Sequence, residues 1–148
     1  ITDADNTWFT LITMNTNPYH FDVEYSKKSP YGKILVNSCL TLSIVTGQSV
    51  IDLSQNAFAN LGWDNIKLVN PVFVGDTIYS ESNIISKRES KSRKYAGIIE
   101  ASTIGYNQDG TTVITWDRKF FVYKKNSNYS NYNRPEPDLN WDELEELK

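Results

Sequence analysis

The sequence predicts an α+β domain in which one long buried helix lies against a curved antiparallel sheet. Three observations carry that expectation. Helical periodicity is confined to the first third of the chain, and everything after residue 55 reads as strand and turn. No alternation of strand and helix and no glycine-rich dinucleotide loop is present, which excludes a doubly wound parallel sheet. The length of 148 residues suits one domain with a sizeable core.

Thr2 followed by Asp5 reads as a helix N-cap with an acidic third position. The helix is expected to turn Trp8, Phe9, Leu11 and Ile12 inward and to stop before Asn15-Thr16-Asn17-Pro18, because a proline disfavours helix in the residue before it. Tyr19 to Asp22 is irregular, Val23 to Lys28 forms a turn or two of helix, and Ser29-Pro30-Tyr31-Gly32 breaks again. From Asn37 to Asp52, Val36, Leu40, Ile44, Val45 and Ile51 recur at helical spacing among small Ser and Thr residues. That mix predicts a buried helix packed closely on something flat, capped by Asn37 or Ser38.

Ala57 to Leu68, Thr77 to Arg88, Tyr95 to Asn107 and Thr111 to Lys124 are the expected strands, arranged as a meander. Asn70-Pro71 separates the first two, and Asn107-Gln108-Asp109-Gly110 is a tight turn. Residues 1–125 form the domain on this reading. Residues 126–148 form a polar, acidic tail in which Leu139, Trp141, Leu144 and Leu147 make one narrow apolar edge of a marginal helix.

A net charge of −3 gives no basic field for nucleic acid. No apolar run approaches the roughly 18 residues of a membrane span, and no signal peptide is visible, so no membrane partner is expected and the cytoplasm is the expected location. The only cysteine, Cys39, allows no intrachain disulfide. With one histidine and one cysteine a zinc site is not expected.

His20 is the only histidine, and it lies in an irregular stretch with Asn15, Asn17, Asp22 and Glu24 close by. Irregular segments on a rigid scaffold often carry function, and an imidazole gives or takes a proton near neutral pH. A lone histidine is also often structural.

Asn17-Pro18-x-His20-x-Asp22 resembles the N-P-x-H segment of MaoC-like dehydratases and (R)-specific enoyl-CoA hydratases. Residues 35–42 are similar to that family's entry into its central helix, Pro71-Val72-Phe73-Val74-Gly75-Asp76-Thr77 to its P-V-x-x-G-D-T strand entry, and residues 107–110 to its late hairpin. Residues 8–11, 13–17, 54–63 and 87–93 resemble the mesaconyl-CoA hydratase (β-methylmalyl-CoA dehydratase) branch in particular.

The resemblance implies a single hot-dog domain and a hydro-lyase that reversibly hydrates a short branched enoyl-CoA of the mesaconyl-CoA kind. It implies an acyl-CoA partner, a homodimer or higher homo-oligomer up to a hexamer, a site at the subunit interface, and no cofactor beyond the CoA of the substrate. The family's catalytic Asp–His pair falls on Asn15 and His20, so the acid position holds an amide that cannot act as a general base. His20 is then expected to move the proton and Asn15 to aim the water. The backbone N–H groups of Ser38 and Cys39 are expected to receive the thioester oxyanion at the helix start. Asn17 and Asn37 are expected to touch substrate, and Arg88, Lys91 and Arg93 to meet the CoA phosphates. The rival reading of Cys39 is a nucleophile, although a lone cysteine in an apolar helix is usually core. Two other functions stay open: a hot-dog acyl-CoA thioesterase with Asp22 or Glu24 as base, and a non-catalytic acyl-CoA binding protein.

Overall fold

The computed structural model describes residues 1–129. Thr2 opens helix α1 (Asp3–Ile12) with a full capping box, in which its hydroxyl accepts from the Asp5 N–H and the Asp5 carboxylate accepts from the Thr2 N–H at 2.8 Å. Which face of α1 turns inward differs from the expectation. Trp8, Leu11 and Ile12 are 72, 68 and 71 % exposed, while Asn6 and Thr10 are buried and Phe9 alone of the expected four packs against the core. The reason is polar: Asn6 makes three hydrogen bonds inside the protein, described below, and they fix the rotation of the helix.

A 3-10 turn at Pro18–His20 and the short helix α2 (Val23–Lys27) follow, the latter capped by the Asp22 carboxylate accepting from the Tyr25 N–H at 2.9 Å. Helix α3 (Ser38–Ser49) is the central helix, and it continues as a wider π turn through Val50–Ser54. Leu40, Thr41, Val45 and Ser49 are buried along it. Ile51 is 76 % exposed, contrary to expectation, because the π turn breaks the 3.6-residue periodicity that would have returned it to the buried face.

The strands are β1 (Ala57–Leu68), β2 (Ile78–Glu89), β3 (Ala96–Asn107) and β4 (Thr112–Tyr123), in the order β1-β4-β3-β2 with every neighbour antiparallel. Only β2, β3 and β4 form the expected meander. The segment 69–77 carries the chain from one edge of the sheet to the other, so β1 and β2 are opposite edges. That segment passes the start of α3, where the Val36 N–H donates to the Val72 carbonyl at 2.9 Å and Leu35 bridges Phe73. The β3–β4 turn is closed by Asn107, whose side-chain oxygen accepts from the N–H groups of Asp109 and Thr111, and by Gly110 at φ 75°, a conformation a side chain would resist.

Val36, Leu40 and Val45 pack against Val72, Ile78, Val113, Ile114 and Trp116 to form the core. The helix approaches the sheet closely at Gly105, where an added Cβ would lie 2.7 Å from Val45 Cγ2 and 2.8 Å from Ile114 Cγ2. This is the expected helix on a curved sheet. After β4, Tyr129 packs on Tyr95 with ring centroids 4.9 Å apart. The acidic helix expected near the C-terminus lies outside the described residues, as does most of the expected tail.

Candidate active site

The site is built from the segment that joins α1 to α3. Asn17 caps the 3-10 turn by accepting from the Tyr19 N–H at 3.2 Å, and Pro18 supplies the fixed φ that starts it. The turn is tied to the chain just before α3, because the Leu35 N–H donates to the Tyr19 carbonyl at 3.0 Å. His20 Nδ1 lies 2.9 Å from the Leu35 carbonyl oxygen. A carbonyl only accepts, so Nδ1 carries the hydrogen, and in the neutral ring Nε2 holds the lone pair. His20 is 7 % exposed and is therefore part of the packed structure rather than a loop ornament.

Asn6 holds this arrangement together. Its amide NH2 donates to the His20 carbonyl at 2.9 Å and to the Leu35 carbonyl at 3.2 Å, and its oxygen accepts from the Asn37 N–H at 2.9 Å. One fully buried side chain thus joins α1, the histidine turn and the cap of α3.

Asn37 is 3 % exposed, and its side-chain oxygen accepts from the Cys39 N–H at 3.0 Å. Asn37, expected to touch substrate, thus caps α3 with this oxygen. The same bond engages the Cys39 N–H, one of the two donors expected for the oxyanion. The Leu40 and Thr41 N–H groups go to the Asn37 carbonyl, and the Ser38 N–H has no acceptor among the described residues. Ser38 and Leu35 line a cavity of about 260 Å³ at the start of α3, together with Tyr31, Thr41, Pro71 and Val72. Cys39 is exposed and not core, because it sits in the first turn on the outer side of the helix.

Asn15 is placed elsewhere on the same segment. Its side-chain oxygen accepts from the Asn17 N–H at 3.2 Å, and it lines a cavity of about 300 Å³ whose other walls include Thr10, Leu11, Met14 and Phe21. Met14, at φ 54°, turns the chain into this position. Within one chain His20 and Asn15 are neighbours in sequence, but the His20 ring turns to Leu35 while Asn15 faces the α1 cavity. Asn17 is exposed and committed to the turn it caps.

Arg88, Lys91 and Arg93 are exposed at the β2–β3 hairpin, and the Arg93 guanidinium carbon sits 4.7 Å from the centroid of the Phe121 ring. His20 is anchored to Leu35, which bridges Phe73 before β2 begins. The length of β2, roughly 35 Å as extended strand, lies between the two groups. One chain therefore does not bring the expected CoA-binding cations to its own His20. Asp22 is used as the cap of α2 and Glu24 pairs with Lys27 at 2.6 Å, so both carboxylates of the thioesterase reading are engaged locally.

Two residues escaped the reading of the sequence. Nothing in the spacing of α1 sets Asn6 apart from its other polar residues. Arg118 had a visible signal: it shares the two-residue alternation of Trp116 and Phe120, and a charge on an apolar strand face is unusual. Arg118 is 5 % exposed, and burial lowers its pKa.

Among the described residues no group of acids, histidines and cysteines is placed to hold a metal, and no helix is long and apolar enough to cross a membrane.

Residues 1–105 match the family model described as MaoC-like domain. The chain is 36 % identical over 92 residues to the mesaconyl-CoA hydratase of Cereibacter sphaeroides, an alignment covering 62 % of this chain and 26 % of that protein. It is 29 % identical over 134 residues to the β-methylmalyl-CoA dehydratase of Chloroflexus aurantiacus, covering 86 % of this chain and 38 % of that one. The chain thus spans less than half the length of these relatives. Among solved structures, a monoamine oxidase regulatory protein from Archaeoglobus superposes with a TM-score of 0.74 at 29 % identity, covering 84 % of this chain and 83 % of that one. An (R)-hydratase from A. caviae superposes with a TM-score of 0.71 at 22 % identity, covering 84 % of this chain and 89 % of that one, and shares the fold.

Proposed function

The chain belongs to the MaoC-like domain family, and from that premise we propose that it is a hydro-lyase acting on a short branched enoyl-CoA, with a mesaconyl-type acyl group as the first substrate to test. The observation that carries this reading is the fixed tautomer of His20. Its Nδ1–H is spent on Leu35, which leaves the Nε2 lone pair to take a proton from water.

In the hydration direction, Nε2 accepts a proton as the water oxygen bonds to the β-carbon of the conjugated thioester. The alkene electron pair moves towards the α-carbon, and charge collects on the thioester oxygen. The Ser38 N–H at the start of α3 receives that charge, where the helix dipole favours an anion. The imidazolium then returns the proton to the α-carbon, so water is added in full and the histidine is restored. Asn15 lines a different cavity from Ser38 within one chain, so on this reading its amide aims the water once the assembly is closed. The names of the two mesaconyl-type relatives support the choice of acyl group.

Two copies of the chain complete the site on this reading. The exposed Trp8, Leu11 and Ile12 of α1, and Leu61, Trp63, Ile66 and Leu68 on the edge strand β1, support burial against a partner. The same assembly is how the hairpin cations Arg88, Lys91 and Arg93 would reach the CoA of a neighbouring site.

The test is to mix the protein with mesaconyl-CoA and, separately, crotonyl-CoA, following the conjugated absorbance and free thiol together. Loss of absorbance without thiol is the expected result, and His20→Asn should lower the rate by roughly 10²–10⁴-fold. Thiol release would instead identify a thioesterase. No change with either substrate would favour a binding protein.

A further inference from the structure

The other end of α3 holds a second set of buried polar groups, and these have no partners among the described residues. Arg118 Nε and Nη2 and Thr46 Oγ1 are all buried and make no hydrogen bond there. Arg118 and Thr46 line one cavity of about 260 Å³, walled also by Phe58, Phe120, Trp63 and Asn60. Thr46 lies eight residues along α3 from Ser38, about 12 Å of helix rise, so this cavity is separate from the one at the helix start.

From this arrangement we infer that the cavity is a binding site for the carboxylate of a small aliphatic acid, gripped by Arg118 with Thr46 as an additional donor. A buried guanidinium without a counter-ion is costly, and proteins keep one where a ligand completes it. The two unpartnered nitrogens are the informative detail. Nε–H and Nη2–H lie along one edge of the planar group and point the same way, which is the pair that meets both oxygens of one carboxylate. The Arg118 guanidinium carbon lies over the Phe120 ring, 4.7 Å from its centroid, a favourable cation–π contact.

Among the described residues, the acids nearby are already committed. Asp117, next in the strand, faces the opposite side of the sheet and accepts from Ser102 and Asn65. Asp64 and Glu100 both pair with Lys119. The walls choose the rest of the ligand. Phe58, Phe120 and Trp63 offer apolar surface to a short hydrocarbon, which suits an organic acid better than a strongly hydrated phosphate.

The inference stands on this geometry alone and does not need the hydratase reading. It is tested by titrating the full chain with crotonate and, in parallel, with crotonamide, which has the same shape and no charge, by calorimetry and thermal shift. Crotonate should bind and raise the melting temperature, and crotonamide should do neither. Arg118→Met should weaken crotonate binding roughly tenfold or more. In the absence of ligand it should melt at the same temperature as the wild type or higher, because it removes an unpaired buried charge. Arg118→Lys keeps the charge without the fork and should also bind more weakly, which preserves the test should Arg118→Met fold poorly. Crotonate that fails to bind the wild type, or that binds Arg118→Met equally well, overturns the inference. Dissociation of the assembly in Arg118→Met, with crotonate binding unmoved, would assign the donors to a carboxylate of a second copy and overturn it too.

Discussion

The two ends of helix α3 solve the same problem in opposite ways. At its start, the buried carbonyls of His20 and Leu35 and the N–H groups of Asn37 and Cys39 are all satisfied, through Asn6, His20 and Asn37 acting as one network. Towards its other end, Arg118 Nε and Nη2 and the Thr46 hydroxyl are buried and, among the described residues, unsatisfied. Satisfied buried polar groups make a rigid frame, and unsatisfied ones keep binding energy for something not yet present. On the proposed reading, the contrast separates a place where the His20 ring is held still from a place where a ligand is met.

Variants can break this contrast in order of expected size. Asn6→Leu removes three hydrogen bonds to backbone groups that stay buried, and should cost about 3 kcal/mol or more in denaturant unfolding. It should also lower hydration more than any α1 surface variant such as Trp8→Ala, since the histidine turn loses its tether. Gly105→Ala drives a methyl into Val45 and Ile114, and should cost about 1–3 kcal/mol by the same measurement without touching either polar cluster. Asn37→Ala removes the cap of α3 and should cost about 1 kcal/mol. Asn15→Asp should leave stability near that of the wild type, because the hydrogen bond its side chain makes to the Asn17 N–H is exposed, and should retain hydration if the proposed role of aiming water holds. Complete loss of hydration there would show that the neutral amide is required.

The smallest effect is electrostatic. Hydrogen bonds from Ser102, and then from Asn65, hold the Asp117 carboxyl below its ordinary value of 3.8. A lowered folded-state pKa contributes stability that is present above 3.8 and lost as the pH falls through the folded value. A plot of unfolding midpoint against pH should therefore fall more steeply below that value in the wild type than in Asp117→Asn, while the neutral range is unchanged.

Much of the fold was legible because it rests on local patterns. Turn residues and two-residue alternation placed every strand boundary within a residue of where it lies, and the Asn37 cap marked the start of α3. Features that depend on distant contacts were not. The apolar residues of α1 point outward because Asn6 is claimed by groups 14, 29 and 31 residues away, which no helical wheel reveals. The position of β1 beside β4 depends on the crossing segment, which is held by distant bonds to Ile1, Val36 and Val113. Within the candidate site, the capping role at the start of α3 was readable from motif and spacing. The commitment of the Cys39 N–H and the distance of the basic hairpin required coordinates.

The account depends most on which nitrogen of His20 carries the hydrogen. His20 is the only histidine in the chain, so a ¹⁵N-labelled sample gives one imidazole to observe at a pH where the ring is neutral. The spectrum should show a protonated Nδ1 and a bare Nε2. A ring protonated at Nε2 instead would leave no lone pair for water, and would contradict both the Leu35 anchor and the proton transfer built on it.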